Sequence, residues 1–458
     1  MKLSRILNIT IIALVITAVL QTGKLWLNNN GSHNFFYTAF VNIGGDDKTY
    51  SGERYILEPK EIVAGYGNKK FYRFYASADK TGIYTMGNRA IAEIVSKGDF
   101  VERRSVDWNE LLSPKCLIFK YSGSVNSNEF LSGFEKSFDA KTDFYFDTIF
   151  IYPQMDYSSN VDISFIDTVN NQEFKYNVKK SRVSKELYDL IENSQNFDNS
   201  ITYISTKQSG FNIFSDDIFV PQWPNNKLNY NIVKRVNPFE INGEFSLNSL
   251  ENYIDEFFES GTLKWSETDK TGSYLFSDDN TVVKYTNNGL IEYYNYEPVD
   301  KDVNQSFITA YSTAKSFMER DKELETDIYL LDWKENGDEI VFCFNYTVNN
   351  LPLIPSEILM GMTNMDCCLE ISVKNNSVRK YRRIAYNYEK DTKTAVANKE
   401  FIRALDETVM MRYENSEESV ITNVDDIKLG YYISGRDNLK LKWFTTIDGE
   451  MYSVESEK

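Results

Sequence analysis

From Ile6 to Gly23 the chain reads ILNITIIALVITAVLQTG, a run without a single charge, preceded by Lys2 and Arg5. A helix of that length rises roughly 27 Å at about 1.5 Å per residue, close to the hydrocarbon thickness of a bilayer. Lys24 and Trp26 suit the far interface, where a long amine snorkels and an indole prefers the headgroup level. The basic residues in front place the amino terminus in the cytoplasm and everything after Lys24 outside. Residues 1–27 are therefore expected to form a cytoplasmic tip and a transmembrane anchor. The run ends Val19-Leu20-Gln21-Thr22-Gly23-Lys24-Leu25-Trp26, with large residues where a signal peptidase needs small ones, which favours an uncleaved anchor over a cleaved signal. Thr10, Thr17, Gln21 and Lys24 fall on one side of such a helix, with Ala13 and Ala18 near them. Thr10, Ala13, Thr17 and Gln21 are candidate contacts with a partner helix, because small and hydrogen-bonding stripes are how membrane helices pack. The same residues also fit a lone helix whose threonines bond their own backbone and whose Gln21 and Lys24 reach the headgroups.

The remaining chain, most of 458 residues, is too long for one ordinary core. Its formal net charge of −17 disfavours nucleic acid, whose phosphates require Lys and Arg, and disfavours lying flat on anionic lipid. Tyr and Phe are abundant, which favours strands. One histidine, His33, serves the whole protein, which removes His-based triads and His-rich metal sites; a lone juxtamembrane histidine is more often structural, and a proton sensor is the one switch it could supply. Cys116, Cys343, Cys367 and Cys368 make neither a disulfide framework nor a zinc spacing.

Along the chain, residues 28–240 read as a membrane-proximal, strand-rich domain. A turn is expected at Gly67-Asn68, buried strands at KCLIFKYSG and FYFDTIFIYP, and a hairpin around Asn170-Asn171. Short helices are expected from Asn88 to Lys97 and from Lys185 to Ile191, the second capped by Ser184. The prolines in Phe219-Val-Pro-Gln-Trp-Pro are expected to break any element there. Residues 241–300 read as a middle helix-plus-meander unit, and residues 301–458 as two further units of the same kind. The three helices run from about Leu247 to Glu259, Ser306 to Glu319 and Asn398 to Arg412. Their apolar faces are Leu247, Leu250, Ile254, Phe257 and Phe258; Phe307, Ala310, Tyr311, Ala314, Phe317 and Met318; and Phe401, Leu405 and Val409. Asn288-Gly289 occupies a type I′ position. The fold class is thus α+β: one transmembrane helix, then an extracytoplasmic multi-domain region of antiparallel sheets, each packed with a helix.

No nucleophile elbow, P-loop, dinucleotide fingerprint, zinc-protease motif or EF-hand loop is present. The doublets Asp46-Asp47, Asp216-Asp217, Asp278-Asp279 and Asp425-Asp426 could supply carboxylate chemistry, as in a glycosidase, or weak calcium binding. Aspartates beside turns are more often solvated caps. The run Val378-Arg-Lys-Tyr-Arg-Arg-Ile384 reads as an exposed strand face paired with carboxylates, or as a docking patch for an acidic partner. No catalytic residue, cofactor or metal is expected.

The segments MKLSRILNITIIALVITAVLQTGKLW with SHNFFY, YILEPKEIVAGYGNKKFYRFY, DWNELLSPKCLIFKYS, PQWPNNKLNYNIVKRVNPF, LENYIDEFFES and NTVVKYTNNGLIEYYNY together resemble the YycH family. These are accessory proteins of the WalK–WalR two-component system of Gram-positive bacteria. The C-terminal IKLGYYIS…LKLKWFTTIDGEMYSV is similar to the fold shared with the sister protein YycI. The resemblance implies a membrane-anchored, non-enzymatic regulator in cell-wall homeostasis signalling. Its partners would be the transmembrane helices of a WalK-like sensor histidine kinase and a YycI-like protein. The alternative is an extracytoplasmic binding module for a peptide or cell-wall ligand.

Overall fold

The computed structural model describes residues 55–79, 81–134, 143–155, 160–195, 201–214, 217–223, 227–258, 264–298, 305–415, 423–434 and 438–457. None of the described helices is long and apolar enough to cross a membrane, and the expected anchor lies outside the described residues.

Two large sheets organise residues 54–458, which form one compact unit. The first sheet contains β1 (Glu61–Tyr66), β2 (Phe71–Phe74), β3 (Gly98–Ser105), β4 (Lys115–Asn126), β5 (Tyr145–Tyr152), β6 (Val161–Asp167), β7 (Gln172–Val178), β8 (Thr202–Ser205) and β9 (Phe219–Gln222). They lie in the order β3-β7-β6-β5-β4-β1-β2-β8-β9, every pair antiparallel. The expected turns hold: Gly67 and Lys69 take positive φ between β1 and β2, and Asn171 does so between β6 and β7. Helix α1 (Ile83–Lys97) buries Ile83, Met86, Gly87, Ala90, Ile91 and Ile94. It begins five residues before the position read from the pattern. The carboxylate of Asp79 accepts from Thr81 N and Tyr84 N at 2.8 and 2.7 Å and so caps the first turn. Gly87 lets α1 sit close, since a Cβ there would lie 2.6 Å from Leu117 and Phe119 of β4.

Short helices α2 (Trp108–Leu112) and α3 (Ser127–Ser132) flank β4, and α4 (Ser184–Ser194) precedes β8. Ser184 does not cap α4. Its hydroxyl accepts from Gln154 N at 2.7 Å, and Val183 occupies the cap position. The proline-rich stretch is likewise not a plain break: β9 includes Pro221, opposite Tyr203. As the outermost strand it tolerates the missing N–H.

The strand β10 (Leu228–Val236) and the two-residue strands β11 (Glu240–Ile241) and β12 (Glu244–Phe245) lead to helix α5 (Leu247–Ile254), capped by Ser246. Then follow β13 (Trp265–Thr268), β14 (Tyr274–Ser277), β15 (Thr281–Tyr285), β16 (Leu290–Asn295), helix α6 (Phe307–Met318), β17 (Ile328–Asn336), β18 (Glu339–Val348) and β19 (Leu351–Pro355). Helix α7 (Glu357–Thr363), β20 (Leu369–Lys374), β21 (Ser377–Ile384), β22 (Asn387–Ala397), helix α8 (Phe401–Asn415), β23 (Val424–Ile433), β24 (Asn438–Leu439), β25 (Leu441–Ile447) and β26 (Glu450–Glu455) complete the order. Twelve of these strands form one sheet, β13-β14-β15-β16-β21-β20-β18-β19-β23-β25-β26, with β17 pairing β18. The strands of the three helix-plus-meander repeats therefore share a single sheet. One of its joints, β19 with β23, is parallel. Strand β10 pairs with β22 and β24 in a small third sheet.

Helix α6 buries the whole apolar face read from the sequence, and a Ser306–Thr309 capping box starts it. Leu250, Ile254, Phe257 and Phe258 are buried as expected, but Leu247 at the first position of α5 is exposed. On α8, Phe401 is buried, Leu405 and Val409 are half-buried, and Ala404, Thr408 and Arg412 complete the inner face. The Asn375-Asn376 and Asp448-Gly449 turns have both residues at positive φ; at Asn288-Gly289 only Gly289 does, so that hairpin closes through Thr286 and is not type I′.

Candidate functional site

A cleft of about 320 Å³ opens where the first sheet faces β17 and β23 of the second. Its walls are built by two irregular strands. In β4, Lys120 pairs with Thr148 and Val125 with Phe146, so Tyr121 to Ser124 bulge out opposite Asp147 alone. Gly123 of this bulge sits against the Trp333 indole of β17, 3.4 Å from where a Cβ would stand. In β23 the register slips between Val424 and Asp426, which turns Asp425 and Asp426 toward the opening. Bulges re-aim side chains, and both of these aim at the same space.

The lining is densely charged. Arg73, on β2, is 4% exposed; its Nη1 reaches Glu61 at 3.5 Å, and its guanidinium lies over the Tyr203 ring at 4.9 Å. Lys120 donates to the backbone oxygen of Asp217 at 2.7 Å and lies 3.5 Å from Glu61. Lys428 and Asp426 pair at 2.8 Å. Burial alone would raise the Asp426 carboxyl, but Lys428, Lys60 and Arg73 overcome it and hold it at about 2. Burial, reinforced by Lys428, pushes the Lys60 ammonium down. Burial pushes Asp147 and Asp217 up, against hydrogen bonds from Thr168 and Ser205 respectively. Tyr75, Trp108, Phe150, Phe219 and Tyr329 supply the aromatic wall, with the Tyr75 and Tyr329 rings 4.2 Å apart.

Several polar atoms around the cleft have no hydrogen-bond partner among the described residues: Arg73 Nε and Nη2, Ser122 Oγ and Asp217 Oδ2. Each is shut away from bulk water. Buried polar groups are nearly always paired, so such a cluster marks a site.

The stripe Thr10, Ala13, Thr17 and Gln21 lies outside the described residues, as do Asp46-Asp47 and His33. Asp278 accepts from Asn280 N and Thr281 N and is the turn cap expected of it. Asp217, Asp425 and Asp426 are not merely solvated caps; they line the cleft. The basic run is not an open docking patch. Arg383 is fully buried and pairs with Asp321 at 3.0 Å. Arg382 pairs with Glu292 at 3.0 Å, and Lys380 with Glu370 at 2.7 Å. No group of His, Cys, Asp and Glu suited to a metal occurs among the described residues, and the four cysteines are buried thiols. Sequence reading missed Arg73 and the β4 bulge. The Ser122-Gly123-Ser124 interruption of an otherwise apolar strand was the available signal.

No family model matches the chain, and no curated protein matches its sequence. The architecture finds a counterpart among solved structures in YycH from Bacillus subtilis, over 89% of this chain and 98% of that one, with a TM-score of 0.55 at 12% identity. The chain has a YycH-like fold. An uncharacterized protein from Eubacterium rectale ATCC 33656 aligns over 56% of this chain and 92% of its own, at 12% identity and a TM-score of 0.32. The C-terminal domain of Bacillus megaterium YpeB aligns over 47% and 94%, at 13% identity and a TM-score of 0.28. With 89% of the chain aligned, the likeness to YycH takes in parts of both large sheets.

Proposed function

We propose that this chain is a membrane-anchored, non-enzymatic regulator of a WalK-like sensor histidine kinase. The anchor, residues 6–23, carries the contact with the kinase's transmembrane helices through Thr10, Ala13, Thr17 and Gln21, with a YycI-like protein in the same assembly. The body beyond Lys24 lies outside the cytoplasm and senses conditions in the cell envelope. The observation that carries this reading is the YycH-like fold, joined to an uncharged run of spanning length behind Lys2 and Arg5.

The test exchanges residues 6–23 for an unrelated spanning helix and asks what co-purifies from membranes. The native chain is expected to bring down a sensor kinase; the exchanged chain, still folded outside, is expected to lose it. Full retention of the kinase by the exchanged chain would overturn the proposal. The cleft favours one addition: the outer body takes up a ligand, which makes binding-module and regulator two parts of one device.

A further inference from the structure

We infer that the cleft between the two sheets binds a small organic carboxylate; this rests on the reading of the outer body as the sensing part. Four observations point to that chemistry. The first is Arg73. Its Nη1 is held by Glu61, while Nε and Nη2, the two parallel donors along one edge of the guanidinium, have no well-aligned acceptor among the described residues, where the Tyr203 hydroxyl is the other polar neighbour. That edge takes both oxygens of a carboxylate at once. A buried donor left unmade is costly, and two along one edge of a side chain that lines a cleft mark a place for an acceptor. The Tyr203 and Tyr75 rings, 4.9 and 6.0 Å from the guanidinium carbon, fix the plane of the fork.

The second is charge. Lys60, Arg73, Lys120 and Lys428 meet at the cleft in a chain whose net charge is −17. Glu61 is shared between Arg73 and Lys120, both at 3.5 Å, and Asp426 is taken by Lys428. Asp147 and Asp217 are engaged by hydroxyl and backbone donors. Asp425 accepts from Asn423 Nδ2 and Gly449 N, so the lining holds no cationic excess, and the pull on an anion comes from the open Arg73 edge alone, which suits one negative charge and not a doubly charged phosphate. The third is the aromatic wall of Tyr75, Trp108, Phe150, Phe219 and Tyr329, which gives an organic body something to pack on. The fourth is the second group of unpartnered atoms, Ser122 Oγ and Asp217 Oδ2, which suit a hydroxyl or amide N–H of the same ligand. The volume, about 320 Å³, is at the lower end of the usual range and fits a molecule of dipeptide or monosaccharide size.

The experiment uses the full-length chain in detergent micelles, followed by calorimetric titration and thermal melting. The probes are N-acetylalanine, N-acetylglutamate and glucuronate, each set against its amide, with inorganic phosphate as a separate arm. At least one carboxylate is expected to bind and to raise the melting temperature, with its amide bound at least about tenfold more weakly. Arg73→Lys keeps the charge and removes the fork, and is expected to weaken the carboxylate by about tenfold or more. If that variant does not fold, Lys60→Gln at the same wall replaces it, with weakening expected in the same direction. Equal binding of acid and amide, binding of phosphate alone, or no binding by any probe would each overturn the inference. Kinase co-purification by the same variants separates the two claims. A kinase retained without carboxylate binding sinks only the ligand, and carboxylate binding by an anchor-exchanged chain that keeps its kinase sinks only the regulator.

Discussion

Asp426 and the thiols are the single residues whose environment makes the firmest statements. The Asp426 carboxyl is held at about 2, below the value near 3.9 of an unfolded chain. A depressed carboxylate contributes stability above its unfolded value and loses it as pH falls toward the folded one. Denaturant midpoints measured from pH 5 down to pH 2 should therefore fall less steeply in Asp426→Asn than in the native chain. The difference should stay below about 2 kcal/mol, because 32% of the side chain is open to the cleft. Burial pushes the thiols of Cys116 and Cys368 up to about 12, and the Cys367 thiol is raised first by its hydrogen-bonded contact with Cys343 and then by burial. Maleimide should leave all three unlabelled in the native protein and label them on unfolding; rapid native labelling would contradict their burial. Sequence spacing excluded a disulfide framework and a zinc motif but left pairing in space open, and folding leaves all four cysteines as buried thiols. It could not find Arg73, whose meaning comes from Glu61, Tyr203 and an empty edge brought together by folding.

Elements were legible where local chemistry decides them. The hairpins at Asn171, Asn376 and Gly449 follow from residues that tolerate positive φ, and α6 follows from a capping box with a continuous apolar face. The errors have the same local scale. Asp79 starts α1 earlier than the apolar period does, Ser184 is drawn off to Gln154, and Pro221 survives because β9 is outermost. Strands β13 and β19 and helix α7 are short and were absent from the pattern. Gly87 offers a test against propensity. Alanine normally favours a helix over glycine by about 1 kcal/mol, but here its Cβ would meet Leu117 and Phe119 at 2.6 Å. Gly87→Ala should lower stability by about 1–3 kcal/mol, read as a shift in the urea midpoint; a gain would mean that α1 can lift off β4 freely.

The whole molecule is held by contacts that no window of sequence contains. Asp321, just after α6, accepts from Tyr253 of α5 and Tyr381 of β21 and pairs with Arg383, so one carboxylate ties two helices to the sheet. Arg383→Met alone strands that buried charge and should destabilise the fold by about 3–5 kcal/mol in chemical denaturation. The double change Asp321→Leu with Arg383→Met should recover much of the loss, which a simple surface pair would not do. The basic run is paired with carboxylates as expected, but Arg382 and Arg383 are buried, because strand alternation gives the side of a sheet and not what covers it. The repeats read as separate meanders share one sheet for a related reason: β16 pairs with β21 and β19 with β23, partners far apart in the chain. The parallel joint of β19 to β23 has a further meaning for synthesis of the protein. A nascent polypeptide halted before residue 424 leaves β19 an open seam and lacks Asp425, Asp426 and Lys428. The last wall of the cleft and the strand that seals the sheet thus arrive in the same final stretch, so an unfinished copy can neither close its scaffold nor complete the cleft.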